Sequence, residues 1–257
     1  MQIDGKIACV TGAGGGIGRA LACALSQAGA AHVICTDIDA DGAAETASLC
    51  GGEAHVLDVR DRAALAALVD DVETRLGPID IFCANAGVLT LGGIDTPEPD
   101  WQRTWEINVM AHVHAAEVMV PRMAARGGGT ILTTASAAGL LSQVGSAPYS
   151  VTKHAAVGFA EWLHFSHYDD GIRVSCLCPQ AVQTDMIAGH EDGVASIDGI
   201  RTPDEVATAC LEAIREERFL ILPHPQVAGY VKLKASDPEK WLGGMRMLHR
   251  QFSVEKT

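Results

Sequence analysis

The stretch Thr11-Gly12-Ala13-Gly14-Gly15-Gly16-Ile17-Gly18-Arg19-Ala20 decides the reading of this chain's fold. It joins a short apolar run, residues 6–11, to a segment, 17–28, whose apolar residues recur at helical spacing. Glycines at a strand-to-helix turn permit a tight reversal and let a pyrophosphate approach backbone N–H groups at the helix N-terminus. A glycine-rich turn by itself is weak, since many are only flexible loops. Here Asp37 closes the next apolar run, about 20 residues past Gly18, where a dinucleotide-binding unit places its ribose-binding acid. Asp37 can accept hydrogen bonds from both adenine-ribose hydroxyls, and its charge repels a 2′-phosphate, so the implied cofactor is NAD. A basic residue favouring NADP would stand at Gly14, Gly15 or Ile38, and none does. Arg19 reads as facing away on the first helix. The competing role for Asp37 is the N-cap of a helix beginning near residue 39.

Outward from this turn, strand-like runs at 6–11, 31–37, 54–59, 79–84, 130–134, 173–178 and 219–222 alternate with helical patterns such as 17–28, 62–76, 101–125 and 148–168. Nearly continuous apolar strands separated by helices indicate a mostly parallel seven-stranded sheet covered on both faces, a doubly wound α/β architecture. Ligands of such sheets sit at the carboxyl ends of the strands, where strand order reverses. No linker, repeat or low-complexity segment divides residues 1–257, which read as a single domain.

Composition excludes several classes. With 48% hydrophobic and 20% charged residues the chain has material for a large core, and a net charge of −13 argues against nucleic acid or an anionic membrane as partner. No charged-then-apolar leader is visible, and no apolar run approaches ~18 residues, so a cytoplasmic, non-membrane protein is expected. Of the eight cysteines, Cys9, Cys35 and Cys83 fall in β-branched apolar runs and read as small core side chains, while Cys176 and Cys178 share one strand face. Without paired Cys-x-x-Cys motifs or a His-Glu-x-x-His frame, no metal is expected. His112 and His114 read as helix-surface or interface residues.

Tyr149 and Lys153 stand one helical turn apart, thirteen residues after Ser136. A tyrosine has an ordinary pKa near ~10, and bringing it to about 7 takes about 4 kcal/mol of differential stabilisation of the phenolate. At i and i+4 two side chains share a helix face, so the Lys153 charge can favour the ionised ring. The effect requires a partly desolvated cleft, because a charge pair at 4 Å gives only ~1 kcal/mol in water and about 4 kcal/mol at an effective dielectric of 20. Burial alone pushes a tyrosine upward, so the reading requires the lysine, with any cationic cofactor, to win. The plain alternative is a half-buried aromatic beside a snorkelling lysine.

The ordered set Thr11-Gly12-x-x-x-Gly16-x-Gly18, Asp58-Val59, Asn85-Ala86-Gly87, Asn108, Ser136 and Tyr149-x-x-x-Lys153 resembles the short-chain dehydrogenase/reductase family, over nearly the whole chain to about residue 222. The resemblance implies a Rossmann-type fold and NAD-dependent interconversion of a secondary alcohol and a ketone. In it, Tyr149 is the acid/base, Lys153 holds the nicotinamide ribose and lowers the Tyr149 pKa, and Ser136 hydrogen-bonds the reacting oxygen. Asn108 kinks its helix and holds a water on a proton path. The turn from Gly12 through Gly14, Gly15, Gly16, Ile17 and Gly18 would hold the cofactor with Asp37 and Ile38, and Asp58 and Val59 would contact adenine, the carboxylate accepting from the exocyclic amine. Asn85, Ala86 and Gly87 would bring backbone against the cofactor. Pro179, Val182 and Thr184 match the segment over the nicotinamide, where Gln180 replaces the family's glycine and is expected to present a polar group to the substrate.

The glycine-bearing stretch 186–201 reads as a substrate loop, and Leu89, Leu91, Leu140, Leu141, Val144 and Met186 as an apolar substrate wall. A steroid, aromatic or terpenoid alcohol fits such a wall better than a sugar. Residues 223–257 depart from the family's usual ending and read as a helical extension that covers the cleft, packs on a neighbouring subunit, or clasps the core. Apolar faces on 101–125 and 148–168 suit a homodimer or homotetramer. Two other readings stay open: a dinucleotide-binding regulator without chemistry, and an enoyl reductase or dehydratase on the same fold.

Overall fold

The computed structural model describes residues 1–252; residues 253–257 of the expected extension lie outside the described residues. The elements follow in the order β1 (Ile7–Thr11), α1 (Gly16–Gln27), β2 (His32–Asp37), α2 (Ala40–Cys50), β3 (Glu53–Val56), α3 (Arg62–Arg75) and β4 (Ile81–Ala84). The second half runs α4 (Glu98–Trp105), a π-helical turn (Glu106–Met110), α5 (Ala111–Ala125), β5 (Gly129–Thr134), α6 (Ala138–Leu141), α7 (Ala147–His167) and β6 (Ile172–Leu177). Then come α8 (Pro203–Glu216), β7 (Leu220–Ile221), α9 (Gln226–Ser236) and α10 (Pro238–Phe252).

The seven strands form one sheet in the order β3-β2-β1-β4-β5-β6-β7. Every pairing is parallel, which sharpens the expected "mostly parallel" sheet to a wholly parallel one. Strand order reverses between β1 and β4, and Val10 of β1 registers with both Cys35 of β2 and Cys83 of β4. The carboxyl ends of β1 and β4 therefore open a crevice at the switch point, the place where such sheets take ligands.

Period-two alternation sends the strand side chains into two cores. Ile7, Cys9, Ile34 and Phe82 pack under α3, α5 and α7 with Val69, Met119 and Leu163. Ala8, Val10, Cys35 and Leu132 face the other layer with Leu21 and Leu25 of α1 and Val206 and Ile214 of α8. Cys9, Cys35, Cys83, Cys176 and Cys178 are buried free thiols within these layers. A smaller cluster of Ala137, Leu141 and Val227, with Tyr230 and Trp241 against it, fastens the C-terminal helices to α6.

Three local differences from the sequence reading have physical causes. The helix expected over 101–125 starts at Glu98 and is divided by a π turn at Asn108, where the resemblance implied a kink and where hydrogen bonds in both directions with Val88 draw the side chain to the loop after β4. The strand expected over 54–59 ends at Val56, because β3 is a half-exposed edge and Asp58 turns the chain to meet Arg60. His112 is buried, not on the surface, and burial holds its imidazole down to about 3, so it is neutral. Among the described residues no helix is long and apolar enough to cross a membrane, and no group of three His, Cys, Asp or Glu side chains could hold a metal ion.

Candidate active site

A cleft of about 660 Å³ opens at the switch point and runs from Asp37 and Asp58 at one end to Tyr149 and the C-terminal helices at the other. Its first wall is the glycine turn. Gly12 has φ of +66°, and a Cβ there would stand 2.8 Å from Ala86 Cα, so only glycine lets the β1 and β4 exits close on each other. The N-terminus of α1 has no side-chain cap and no acidic residue in its first turn. Its leading N–H groups are thus left for an anion in the cleft.

Asp37 does not cap α2; Asp39 does, accepting from Asp41 N–H at 3.2 Å. The Asp37 carboxylate instead accepts from Gly14 N–H at 2.8 Å and from Asp39 N–H at 3.0 Å, and it lines the cleft. Gly14 thus supports the acid and does not itself line the cavity. Arg19 does not face away: it donates to the Gly14 carbonyl at 2.7 Å, and Glu45 holds the same guanidinium at 2.6 Å. Its charge is thereby matched.

Ile38, Val59 and Asp58 also line this end. The Asp58 carboxylate, expected to face adenine, is engaged by Arg60, whose Nε donates to both oxygens at 3.0 Å and whose Nη2 donates at 2.6 Å. That guanidinium holds the Asp58 carboxyl below the usual carboxylate range. Arg60 is a wall residue that the motif reading missed; its proximity to Asp58 by two positions was the available signal.

The floor is built by β4 and β5. Asn85 Nδ2 donates to the Thr11 carbonyl at 3.0 Å and accepts at its Oδ1 from Thr134 at 3.0 Å, tying β1, β4 and β5 together. Gly87 leaves room behind it, since a Cβ there would lie 3.3 Å from both Asn108 Oδ1 and Lys153 Nζ. Lys153 Nζ donates to the Thr134 carbonyl at 2.9 Å, and Asn108 Nδ2 reaches Thr152 Oγ1 at 3.2 Å. Asn108 itself is fully buried behind the cleft wall.

Ser136, Tyr149 and Lys153 meet at the buried end of this floor. Ser136 sits just past β5, and its Oγ accepts from Ala138 N–H at 3.1 Å. Tyr149 and Lys153 lie on the first turns of α7, with the ammonium 5.6 Å from the ring centre. Burial raises the Tyr149 pKa, and a hydrogen bond with Ser136 works against that rise. Burial lowers Lys153 to about 8. The expectation set the lysine together with a cationic cofactor against burial; of the protein's own contributions, desolvation of the phenol is the largest, while the ammonium is engaged with Thr134.

Pro179, Gln180, Val182 and Thr184 pass over the cleft after β6, followed by Met186 of the loop. Leu89 and Leu141 line the substrate end as expected, but Leu91, Leu140 and Val144 do not. The short helix α6, unforeseen, turns Leu141 inward and Leu140 toward the core clusters. In their place stand Tyr230 of α9 and Trp241, Met245 and Leu248 of α10, one helix face at i, i+4 and i+7. Of the three sequence readings of the tail, these side chains line the cleft, and Val227, Tyr230 and Trp241 also pack on the cluster at α6.

The crevice thus gathers Asp37, the uncapped start of α1 and the buried Ser136, Tyr149 and Lys153 into one cavity at the switch point. A family model described as short chain dehydrogenase matches residues 6–194, and the chain belongs to that family. It is 37% identical over 235 residues to a 1-deoxy-11-beta-hydroxypentalenate dehydrogenase of Streptomyces avermitilis, covering 86% of this chain and 85% of the relative. Among solved structures, a short chain dehydrogenase/reductase from Burkholderia phymatum in complex with NAD superposes with a TM-score of 0.86 at 31% identity, covering 93% of this chain and 96% of that one. A 7 alpha-hydroxysteroid dehydrogenase complexed with NADH and 7-oxo glycochenodeoxycholic acid matches with a TM-score of 0.77 at 30% identity, covering 86% and 93%.

Proposed function

We propose that this protein is an NAD-dependent oxidoreductase that interconverts a secondary alcohol and a ketone on a mainly apolar, cyclic substrate. The observation that carries this reading is the meeting of Ser136, Tyr149 and Lys153 at the buried end of a cleft whose other end presents Asp37. The NAD-bound short-chain dehydrogenase and the hydroxypentalenate and hydroxysteroid dehydrogenases among its relatives support both the cofactor and the substrate class.

The residues present fit the dinucleotide. Asp37 would hold the adenine ribose, the uncapped start of α1 the pyrophosphate, Lys153 the second ribose, and Thr184 the carboxamide. When bound, NAD supplies the hydride acceptor and a positive ring.

The chain's own groups then handle the proton. Ser136 holds the alcohol oxygen and orients it toward Tyr149, whose phenolate removes the hydroxyl proton. In the reverse direction the protonated Tyr149 delivers that proton to the carbonyl oxygen. Lys153, kept beside the ring by Thr134, adds its charge to any cation in the cleft in favouring the phenolate. Asn108 fixes the loop carrying Gly87 against Lys153 through Val88 and Thr152. The wall of Leu89, Leu141, Met186, Trp241, Met245 and Leu248 excludes water from this end and suits a steroid, terpenoid or aromatic ring system.

Exposed Val151, Trp162 and Phe165 on α7, with Tyr168 just past its end, support a homo-oligomer assembled through that helix. The activity is tested with a panel of cyclic secondary alcohols and NAD, following NADH absorbance. Turnover of at least one fused-ring alcohol is expected, and tight NAD binding with no turnover of any member would favour a regulator.

A further inference from the structure

Two segments, the exit of β6 and helix α9, converge on one carboxylate of the 186–201 loop. Gln180, just after β6, donates from Nε2 to Asp198 Oδ2 at 2.9 Å. Tyr230 of α9 donates its hydroxyl to Asp198 Oδ1 at 3.0 Å. Gln180 and Tyr230 line the cleft, whereas Asp198 stands behind them and does not.

The surroundings make this more than a surface contact. The base of the 186–201 loop is stitched to the β6 exit by Ala181 N–H to Ala195 O at 3.1 Å, Gln183 N–H to Arg201 O at 2.9 Å and Arg201 N–H to Ala181 O at 3.1 Å. Those bonds hold the loop's root and leave its approach to the C-terminal helices to side chains. Gln180 is set by His224, whose Nδ1 accepts the Gln180 N–H at 3.2 Å. The Tyr230 ring leans on Trp241 with centroids 6.4 Å apart, and Trp241 begins the α10 face that closes the cleft. Lys234 of α9 donates to the Leu140 carbonyl at 2.6 Å, anchoring the same helix to α6.

We propose that Asp198 is a positioning residue that joins the substrate loop to the C-terminal helices, so that Ile197 of the loop and Trp241 of α10 form one wall that selects large ring systems. The proposal rests on the alcohol–ketone reading above. A small alcohol held by Ser136 and Tyr149 does not extend to α10, so it gains nothing from the join. A fused-ring alcohol spans the distance and depends on it.

The rescue chemistry is specific. An asparagine at this position offers its carbonyl to Tyr230, and its amide N–H to Gln180 Oε1 after a flip of that side chain. Asp198→Asn therefore keeps both links, while Asp198→Ala removes both.

The experiment measures kcat/KM of wild type, Asp198→Ala and Asp198→Asn with NAD on a hydroxysteroid and on cyclohexanol, together with cleavage at Glu191 of the loop by a glutamate-specific protease. The steroid-to-cyclohexanol ratio should fall about tenfold in Asp198→Ala, the scale of two lost hydrogen bonds, chiefly through KM. It should return in Asp198→Asn, and only the alanine variant should be cut faster at Glu191. A ratio that stays at the wild-type value, an equal fall on both substrates, or no rescue by asparagine overturns the proposal. If wild type oxidises neither alcohol, the activity reading fails by itself, and unchanged Glu191 cleavage in Asp198→Ala would separately refute the join.

Discussion

The ammonium of Lys153 stands 5.6 Å from the centre of the Tyr149 ring while donating to the Thr134 carbonyl at 2.9 Å. The two side chains share a helix face, as their spacing of four dictates, yet β5 supplies the contact that fixes the lysine. Burial pushes the Tyr149 pKa up, and the Ser136 hydrogen bond works against that rise. In the proposed mechanism a positive nicotinamide would add the charge that favours the phenolate.

Burial of Lys153 has a thermodynamic signature. Its folded pKa of about 8 lies below its ordinary 10.5. Below pH 8 both the folded and unfolded chains carry the charge, and the cost of burying it is fully present. Between pH 8 and 10.5 the unfolded chain keeps a proton that the folded one has released, so stability rises with pH through this window. Lys153→Met should therefore be the more stable protein at pH 7 by at most ~3 kcal/mol, with the difference shrinking as pH approaches 10.5. Urea denaturation across the window checks this, and a gap that widens with pH would contradict it.

Asp37 should decide cofactor choice. Replacing it by serine removes the charge-assisted acceptors and should weaken NAD binding by roughly ten- to a hundredfold, while NADP binding improves relative to NAD. Calorimetric titration of both cofactors reads the effect. An unchanged preference would mean that Arg19, now seen beside the turn, or another group sets it.

Asp58 should matter much less. Its carboxylate is already held by Arg60, so Asp58→Ala is expected to change NAD affinity by less than about threefold, under the ~1 kcal/mol of an ordinary hydrogen bond. A loss as large as that of the Asp37 variant would show that the carboxylate leaves Arg60 for the adenine amine.

Gly87 separates activity from stability. A methyl group there meets Asn108 Oδ1 and Lys153 Nζ at 3.3 Å, close enough to displace both slightly. Gly87→Ala should lower kcat by about ten- to a hundredfold, the scale of a small misplacement of catalytic groups, with Tm moving by less than about 4 °C. A large fall in Tm with kcat intact would assign the glycine to folding alone.

Much of this was legible in the sequence because it is local. The Gly12–Gly18 turn, the acid ending β2 and the Tyr149–Lys153 spacing depend on neighbours within a few residues, and each lands at the switch-point cleft. The seven strands were legible from apolar runs, except where an exposed edge let β3 stop early. What escaped depends on tertiary direction. Nothing in residues 140–144 says that a four-residue helix will aim Leu141 at the cleft and leave Leu140 and Val144 outside. The engagement of Lys153 by Thr134 likewise arises where chain direction, not motif spacing, brings the partners together, whereas that of Asp58 by Arg60 spans two positions and was open to a local reading. The three readings of the tail were equivalent as amphipathic patterns until Tyr230, Trp241, Met245 and Leu248 had a surface to face.

The most direct test of the account is single-turnover oxidation of a fused-ring secondary alcohol with NAD by wild type and Tyr149→Phe, with NAD affinity measured in parallel. NADH formation by wild type and its loss in the phenylalanine variant, at an NAD affinity close to wild type, is the predicted result. Wild-type rates in Tyr149→Phe would contradict the assignment of the proton transfer to Tyr149.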